Sequence, residues 1–512
     1  MIFAWVAAVM AAASPAWAGS GGQAAGLSLI EAVEITLSRQ PGIQLDAETV
    51  RRSKGLLQEE QGLFDPTIAL SGGHERSDRP LPAGAAASRQ TVETTSQELS
   101  LQNKLRNGWV LRPGVSLRRT EDPLSYRDVQ NYATVNFKLT VPLLRGAGEA
   151  ATTGRETAAR KAYEASLLQH RHVVSSRVLD TATAYWNYVA QAMALRELGE
   201  SESRAAEYLR IIGLLVQGDE RPGSDLHQVM ANQEDKAAQR IAGEQAFREA
   251  RQTLGLAMGL SAAEIERLPP PADPFPPIPE SQAGSDPLAS LLEQALKRRD
   301  DYLAAQEDIE AARALREVAR NGLRPILDMD LQAGYSGLAE GSNAYRYFGS
   351  LGTSVPGPSA SVSLTYQWPV GNNAARGRFL QTDAEYQRRR LSKDDLARTI
   401  ESAVALAFSS VGSAAAEAAR TRRSLSLHER SLEDEFKKAR LGASTFLDVF
   451  ITDDRLLSAK RGEISARLRY ALGVARLRFA AGLILSGQGD RVAVRAEDLT
   501  ALPPEAAERK TP

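Results

Sequence analysis

The chain changes its hydrophobic rhythm at four prolines. In QGLFDPTIALSGG, residues 61–73, the stretch before Pro66 reads as helix; beyond it Ile68 and Leu70 alternate with smaller or polar neighbours. RNGLRPILDMDLQAG, residues 320–334, makes the same switch at Pro325. Proline cannot donate the backbone N–H of a continuing helix, and it disfavours helical geometry at the residue before it, here Asp65 and Arg324. Beyond each proline the alternation is that of a strand with one apolar and one polar face. In NYATVNFKLTVPL, Ala133, Val135, Phe137, Leu139 and Val141 oppose Thr134, Asn136, Lys138 and Thr140. LDMDLQAGY sets Leu327, Met329, Leu331 and Ala333 against Asp328, Asp330 and Gln332. SVSLTYQW sets Val362, Leu364, Tyr366 and Trp368 against Ser361, Ser363, Thr365 and Gln367. An extra hairpin is expected from strands near 92–105 and 109–119 around Asn107-Gly108, a two-residue turn signal. Pro142 and Pro369 mark the return from strand to helix.

Residues 150–216 and 374–440 carry no proline and are rich in Ala, Leu, Glu, Arg and Gln, which predicts two helices of about 100 Å each. Neither is apolar all round, so each needs helical partners along its length. Each ends at a turn and reverses. In LVQGDERPGSDLHQV the breakers are Gly218, Pro222 and Gly223, with Ser224 or Asp225 as the next N-cap. In KARLGASTFLDVF, Gly442 is the expected C-cap, and Ser444 or Thr445 caps the returning helix.

The pattern occurs twice. Leu37 and Pro66 recur as Leu296 and Pro325 at one offset. Tyr163, Leu168, Ala184, Leu254, Gly259 and Leu260 recur as Tyr386, Leu391, Ala407, Leu477, Gly482 and Leu483 at a shorter one, because the first strand region is longer. The expected organisation is a signal peptide at 1–18, first-repeat N-terminal helices at 19–65, strands with the extra hairpin at 66–142 and a helical hairpin at 143–267. A proline-rich linker at 268–287 leads to a second-repeat helix at 288–324, strands at 325–369, a helical hairpin at 370–484 and a tail at 485–512.

Composition narrows the function. With 62 basic and 63 acidic side chains the net charge is −1, which argues against a nucleic-acid binder. There is no cysteine, hence no disulfide, thiolate metal site, thiol nucleophile or acylated N-terminal cysteine. The first residues are apolar, and Ala16 and Ala18 flank Trp17 in an A-x-A cleavage pattern, although no Lys or Arg precedes the apolar run. Export is therefore expected, with a short membrane anchor as the other reading; no later segment has the ~18 consecutive apolar residues of a membrane helix. No Gly-rich loop ends in Lys-Ser or Lys-Thr, so a P-loop is excluded. His170 and His172 are two apart on a helix and face differently, which favours solvated side chains over a metal site. No catalytic constellation, metal site or cofactor site is expected.

The alternating strands fit two architectures. A soluble sheet with one wet face alternates in the same way. A transmembrane barrel turns the apolar side to lipid and the polar side to a water-filled lumen, with strands of about 10 residues. Export, strand length and the lack of an obvious core partner favour the barrel, with Tyr335, Tyr366 and Trp368 near its interfaces.

A signal peptide, two copies of helix, strands, helix, turn and helix, and the turn LGASTFLDVF together resemble the TolC-type outer-membrane efflux proteins over nearly the whole mature chain. The resemblance implies a mixed α and β fold: a trimeric outer-membrane β-barrel continued by a long periplasmic α-helical barrel, built from two internal repeats. It implies a passive exit duct, not an enzyme, in a tripartite efflux or type I secretion system. The implied partners are two further copies of the chain, a periplasmic adaptor, an inner-membrane transporter and outer-membrane lipid. The helical turns, with Gly218, Gly223, Gly442, Ser444 and Thr445, would form the adaptor-contacting tip. Pro66, Pro142, Pro325 and Pro369 would mark the junction of barrel and tunnel. Gly442 and Asp448 match the family's glycine followed six residues later by aspartate; Gly218 and Asp225 match it with one residue inserted. Asp225 and Asp448 are thus the candidate gate, since a ring of carboxylates at a constriction favours cations. The family's tyrosine three before the glycine, arginine two after it and second aspartate nine after it are here Ala439, Ser444 and Ile451. Asp453 and Asp454 lie nearby in a different helical phase. The alternative is a periplasmic adaptor or coiled-coil scaffold without a membrane barrel.

Overall fold

The computed structural model describes residues 26–503 except 84, 86, 125–128, 220–222, 280–287, 353–356, 442 and 487–492. The expected leader and Gly442 lie outside the described residues. Helices α1 (Leu29–Arg39) and α2 (Pro41–Gly62) precede strands β1 (Thr67–Pro80), β2 (Arg89–Lys104), β3 (Val110–Glu121) and β4 (Gln130–Pro142). Helices α3 (Glu149–Thr152), α4 (Gly154–Gln217), α5 (Gly223–Ala257) and α6 (Ala262–Glu266) follow. The second half runs α7 (Leu288–Arg298), α8 (Asp300–Asn321), β5 (Ile326–Glu340), α9 (Ala344–Phe348), β6 (Gly357–Gln367), α10 (Asn373–Arg440), α11 (Phe446–Ala480) and α12 (Glu497–Thr500). Corresponding helices agree in length: α1 and α7 have 11 residues, α2 and α8 have 22, and α5 and α11 have 35.

The chain divides into two compact units. One comprises Asp46–His172 and Asp300–Thr399; the other comprises Met1–Leu45, Val173–Arg299 and Ile400–Pro512.

The first unit holds the sheet, an antiparallel array in the order β1-β2-β3-β4-β5-β6. Residues directly opposite in such a ladder share a face. One row runs Leu70, Leu99, Val115, Val135, Tyr335. The row beside it runs Ser71, Glu98, Ser116, Thr134, Ser336, Gly357. The alternation read on single strands thus builds one apolar and one polar face across all six. The apolar face has little cover: Ile68, Leu70, Val362 and Leu364 are 74%, 80%, 69% and 65% exposed. On the polar face Lys138 pairs with Asp330 at 3.3 Å, and Thr140 donates to the same carboxylate at 2.5 Å.

The extra hairpin is present, but its turn differs from expectation. Leu105 N–H donates to Trp109 O at 2.8 Å and closes a three-residue loop, 106–108. Of these only Gly108 has positive φ, +98°. A two-residue type I′ turn needs positive φ at both central positions; here one left-handed glycine closes a longer loop. The β2–β3 ladder breaks between the Ser100↔Gly114 and Asn103↔Leu111 pairs. Pro113, which has no N–H to offer, lies in the gap. At the far end, the segment after β5 folds over the apolar face. Ser350 is fully buried, and its carbonyl oxygen lies 2.0 Å from where a Cβ on Gly337 would be.

The second unit is helical. Ser28 and Glu31 form a capping box that starts α1, whose Leu29, Ala32 and Val33 are buried. Trp186 stacks on Phe275 at 5.8 Å, and Tyr188 stacks on Phe247 at 4.9 Å. Phe275 belongs to the proline-rich stretch, so the described part of that stretch is packed rather than free: Leu268 is also buried, and Tyr185 Oη donates to Asp273 at 3.0 Å. The tail also docks, with Leu499 fully buried and Arg478 paired with Asp498 at 3.3 Å.

Along the middle of α10 the buried residues are Ile400, Val404, Ala407, Val411, Ala414 and Ala418. That spacing of four and three is a coiled-coil seam. By length and composition alone α10 is also apolar enough to cross a membrane, contrary to the expectation of no such helix, with 22% of its most apolar window buried. Alanines on and beside the seam supply that apolarity.

Candidate functional site at the helical turns and the helix–strand seam

In the helical unit both hairpin turns meet at one apolar cluster. Tyr208 and Ile212 of α4, Val229 of α5, Ala439 of α10, and Val449 and Phe450 of α11 are buried together. The Tyr208 ring lies 6.0 Å from Phe436 and 5.7 Å from Phe450. Ala439, which stands where the resemblance leads one to expect tyrosine, is buried among them.

The α11 turn is tied by hydroxyls and carboxylates. Thr445 is its N-cap, and with Asp448 it forms a capping box. The Asp448 carboxylate accepts from Thr445 N–H at 3.1 Å and from Thr445 Oγ1 at 2.6 Å. Ser444 Oγ lies 3.2 Å from the same oxygen and also donates to Glu435. Those bonds, Thr445 first, hold the Asp448 carboxyl below its usual range. Asp448 is exposed, so its charge meets water.

Helix α4 stops at Gln217, so Gly218 stands at the break, and the left-handed residue of the α4–α5 turn is its neighbour Asp219, φ +53°. Helix α5 begins at Gly223, so Ser224 and Asp225 lie within its first turn instead of before it.

Behind the cluster lie charges that the sequence did not assign. Asp453, 3% exposed, accepts from Arg204 Nε at 2.8 Å and from Ser201 Oγ at 3.3 Å. Lys236, also 3% exposed, pairs with Asp454. Asp453 sits one turn beyond Val449 and just before Leu456, on the apolar stripe of α11. A charge on such a stripe was the available signal, but its partner came from a helix some 250 residues away.

In the sheet unit the four prolines stand at the four crossings. Pro66 immediately precedes β1 and Pro325 immediately precedes β5; Pro142 ends β4, and Pro369 follows β6 by two residues. The crossings are bonded to one another. Leu143 N–H donates to Leu327 O at 2.7 Å, Gly146 N–H to Asn321 Oδ1 at 2.8 Å, and Asn372 Nδ2 to Leu323 O at 3.0 Å. The extra hairpin reaches the same place. A Cβ on Gly108 would stand 2.5 Å from Gly146 O, and Arg106 lies 4.9 Å above the Phe64 ring.

Arg106 also bonds Glu156 through two nitrogens, at 3.1 and 3.3 Å, and Arg160 adds a third bond at 3.0 Å. Glu156 is almost fully buried, and the Arg106 hydrogen bond outweighs that burial to hold its carboxyl below the usual range. A folded-state pKa below the unfolded value gives stability that is complete above about pH 4.5 and fades as pH falls through the lower value. Glu156→Gln should therefore cost about 2 kcal/mol at pH 7, with wild type and variant converging as acid is added, in melts from pH 7 to 3. Parallel curves would contradict this role.

The two helix histidines are half-buried beside acids instead of solvated. His170 Nδ1 is 2.9 Å from Asp46, and His172 Nδ1 is 3.7 Å from Asp301.

Residues 291–483 match the model of the outer membrane efflux protein family. The chain carries an outer membrane efflux protein domain. The matched family is one of outer-membrane proteins. The resemblance to TolC-type channels is thereby borne out, and the family is one of channels. Solved structures share the fold around the efflux domain. The outer-membrane channel OprN aligns at 16% identity and TM-score 0.65, covering 89% of each chain. VceC of Vibrio cholerae aligns at 14% and 0.64, covering 89% of this chain and 96% of its own. The CmeC outer membrane channel of Campylobacter jejuni aligns at 15% and 0.64, covering 89% and 85%. No curated protein gives a significant sequence match.

Proposed function

We propose that the chain is the outer-membrane channel of a tripartite efflux or type I secretion system. It acts as a homotrimer and as a passive exit duct. An inner-membrane transporter supplies energy and cargo, and a periplasmic adaptor docks at the helical turns. The observation that carries this reading is the six-stranded sheet with one exposed apolar face and one polar face. Lipid against the first and water against the second satisfies both, and closure in a ring satisfies the strand edges. The adaptor or scaffold alternative leaves that apolar face without a partner. Two internal repeats explain why each half supplies strands to the same sheet.

The test is fractionation followed by electrophysiology. The expected result is a heat-modifiable trimer in the outer-membrane fraction that forms channels in planar bilayers. Recovery as a water-soluble periplasmic monomer would refute the reading.

Asp225 and Asp448 are the proposed gate carboxylates. Asp448 also caps α11, so alanine would remove two things at once, about 1 kcal/mol of cap together with the charge. Asp448→Asn separates them, because the amide oxygen still accepts while the charge is gone. In asymmetric salt its cation preference should fall. An unchanged reversal potential would count against a charged ring at this turn.

A further inference from the structure

The channel reading leaves one question open: the first half has two strands more than the second, and the outermost pair, β1 and β2, either belongs to the membrane wall or lies outside it. We infer that it belongs to the wall, so that each protomer contributes six strands and three protomers close an 18-stranded barrel. The inference rests on the trimeric reading above.

Three observations carry it. First, β1 pairs with β2 along its whole length, from Thr67↔Gln102 to Pro80↔Arg89, with no break of the kind seen at Pro113. Second, β1 continues both faces of the sheet: Ile68 and Leu70 extend the apolar side, and Ala69 and Ser71 lie on the other. Apolar side chains that exposed, continuous with those of β3 to β6, need the same solvent. Third, the β2–β3 loop is held at the seam by Arg106 and Gly108, so the hairpin starts from the same level as the other strands.

The occupant of the open edges is a second copy of this chain. β1 runs away from the seam and β6 runs toward it. In a ring of identical copies β1 therefore meets the neighbour's β6 antiparallel, which an even number of strands per copy guarantees. One copy cannot close on itself. Six tilted strands would enclose about 12 Å, less than the eight-stranded barrel whose side chains already fill its interior. Eighteen enclose about 35 Å between backbones, a width that leaves an aqueous channel. The outer mouth is then no size filter, and selection of cargo falls to the helical part.

The chain has no cysteine, so introduced pairs report cleanly. Full-length protein carrying Ile68→Cys or Leu70→Cys together with Val362→Cys, Leu364→Cys or Tyr366→Cys is oxidised in vesicles and run on denaturing, non-reducing gels. The expected result is covalent dimers and trimers from at least one pairing. Val115→Cys on β3, combined with the same β6 cysteines, should give none between copies. Inter-copy bonds through Val115→Cys would overturn the inference, because β3 would then meet the neighbour and β1 and β2 would lie outside the wall. An intact trimer with no bond from any β1 position would overturn it too. In both cases the trimeric duct stands; a monomer by light scattering in detergent would refute both.

Discussion

Leu364→Arg should lower the stability of the membrane-inserted trimer by about 1–3 kcal/mol, the cost of a cation on the lipid face between the interface and the bilayer midplane. Ser363→Arg, one residue earlier and on the opposite face, should cost little. The comparison is informative because both side chains are exposed in the isolated protomer. In a water-bathed sheet neither change would exceed about 0.5 kcal/mol. The measurement is urea unfolding from vesicles, with trimer yield on unheated gels as a second readout. Equal, small effects would mean that the apolar face does not meet lipid.

Arg204→Ala should be the most damaging single change in the helical unit. It leaves the Asp453 carboxylate buried with only the Ser201 hydroxyl at 3.3 Å. Removing one partner of a buried pair costs about 3–5 kcal/mol, because the remaining charge has lost its compensation. A double variant, Arg204→Met with Asp453→Leu, should recover most of that loss, since apolar residues of similar size can replace such a pair without penalty. Thermal melts of the four proteins in the cycle supply the coupling energy. The single variant should also conduct more, because the apolar cluster at the turns rests on this pair. A near-zero coupling energy would show that the pair contributes no specific stabilisation.

What could be read in the sequence was local. Period-two alternation fixes the two faces of β4, β5 and β6 without any knowledge of neighbours, and a proline such as Pro325 forbids the helix whatever lies around it. What escaped depends on residues far apart. Nothing near Asp453 announces Arg204, and nothing near Phe275 announces Trp186. The histidines read as solvated because Asp46 and Asp301 are brought to them by other helices. Gly218 marks the end of α4, but the left-handed turn residue is Asp219, since aspartate also tolerates positive φ. Asn107-Gly108 suggested the shortest turn; the loop is one residue longer, and its Arg106 bonds Glu156, some 50 residues on.

The long β1 edge has a consequence for how the protein is made. In a single copy the outer edge of this fourteen-residue strand has no strand beside it, and Ile68 and Leu70 stand bare next to it. Such an edge is a template for any extended peptide, including another copy in the wrong register. The charged residues of β1, Glu75, Arg76, Asp78 and Arg79, all lie in its distal half. The half next to the seam carries no such protection. Mispairing should therefore begin there, and overproduction should favour aggregates over trimers unless the newly exported chain is escorted to the membrane.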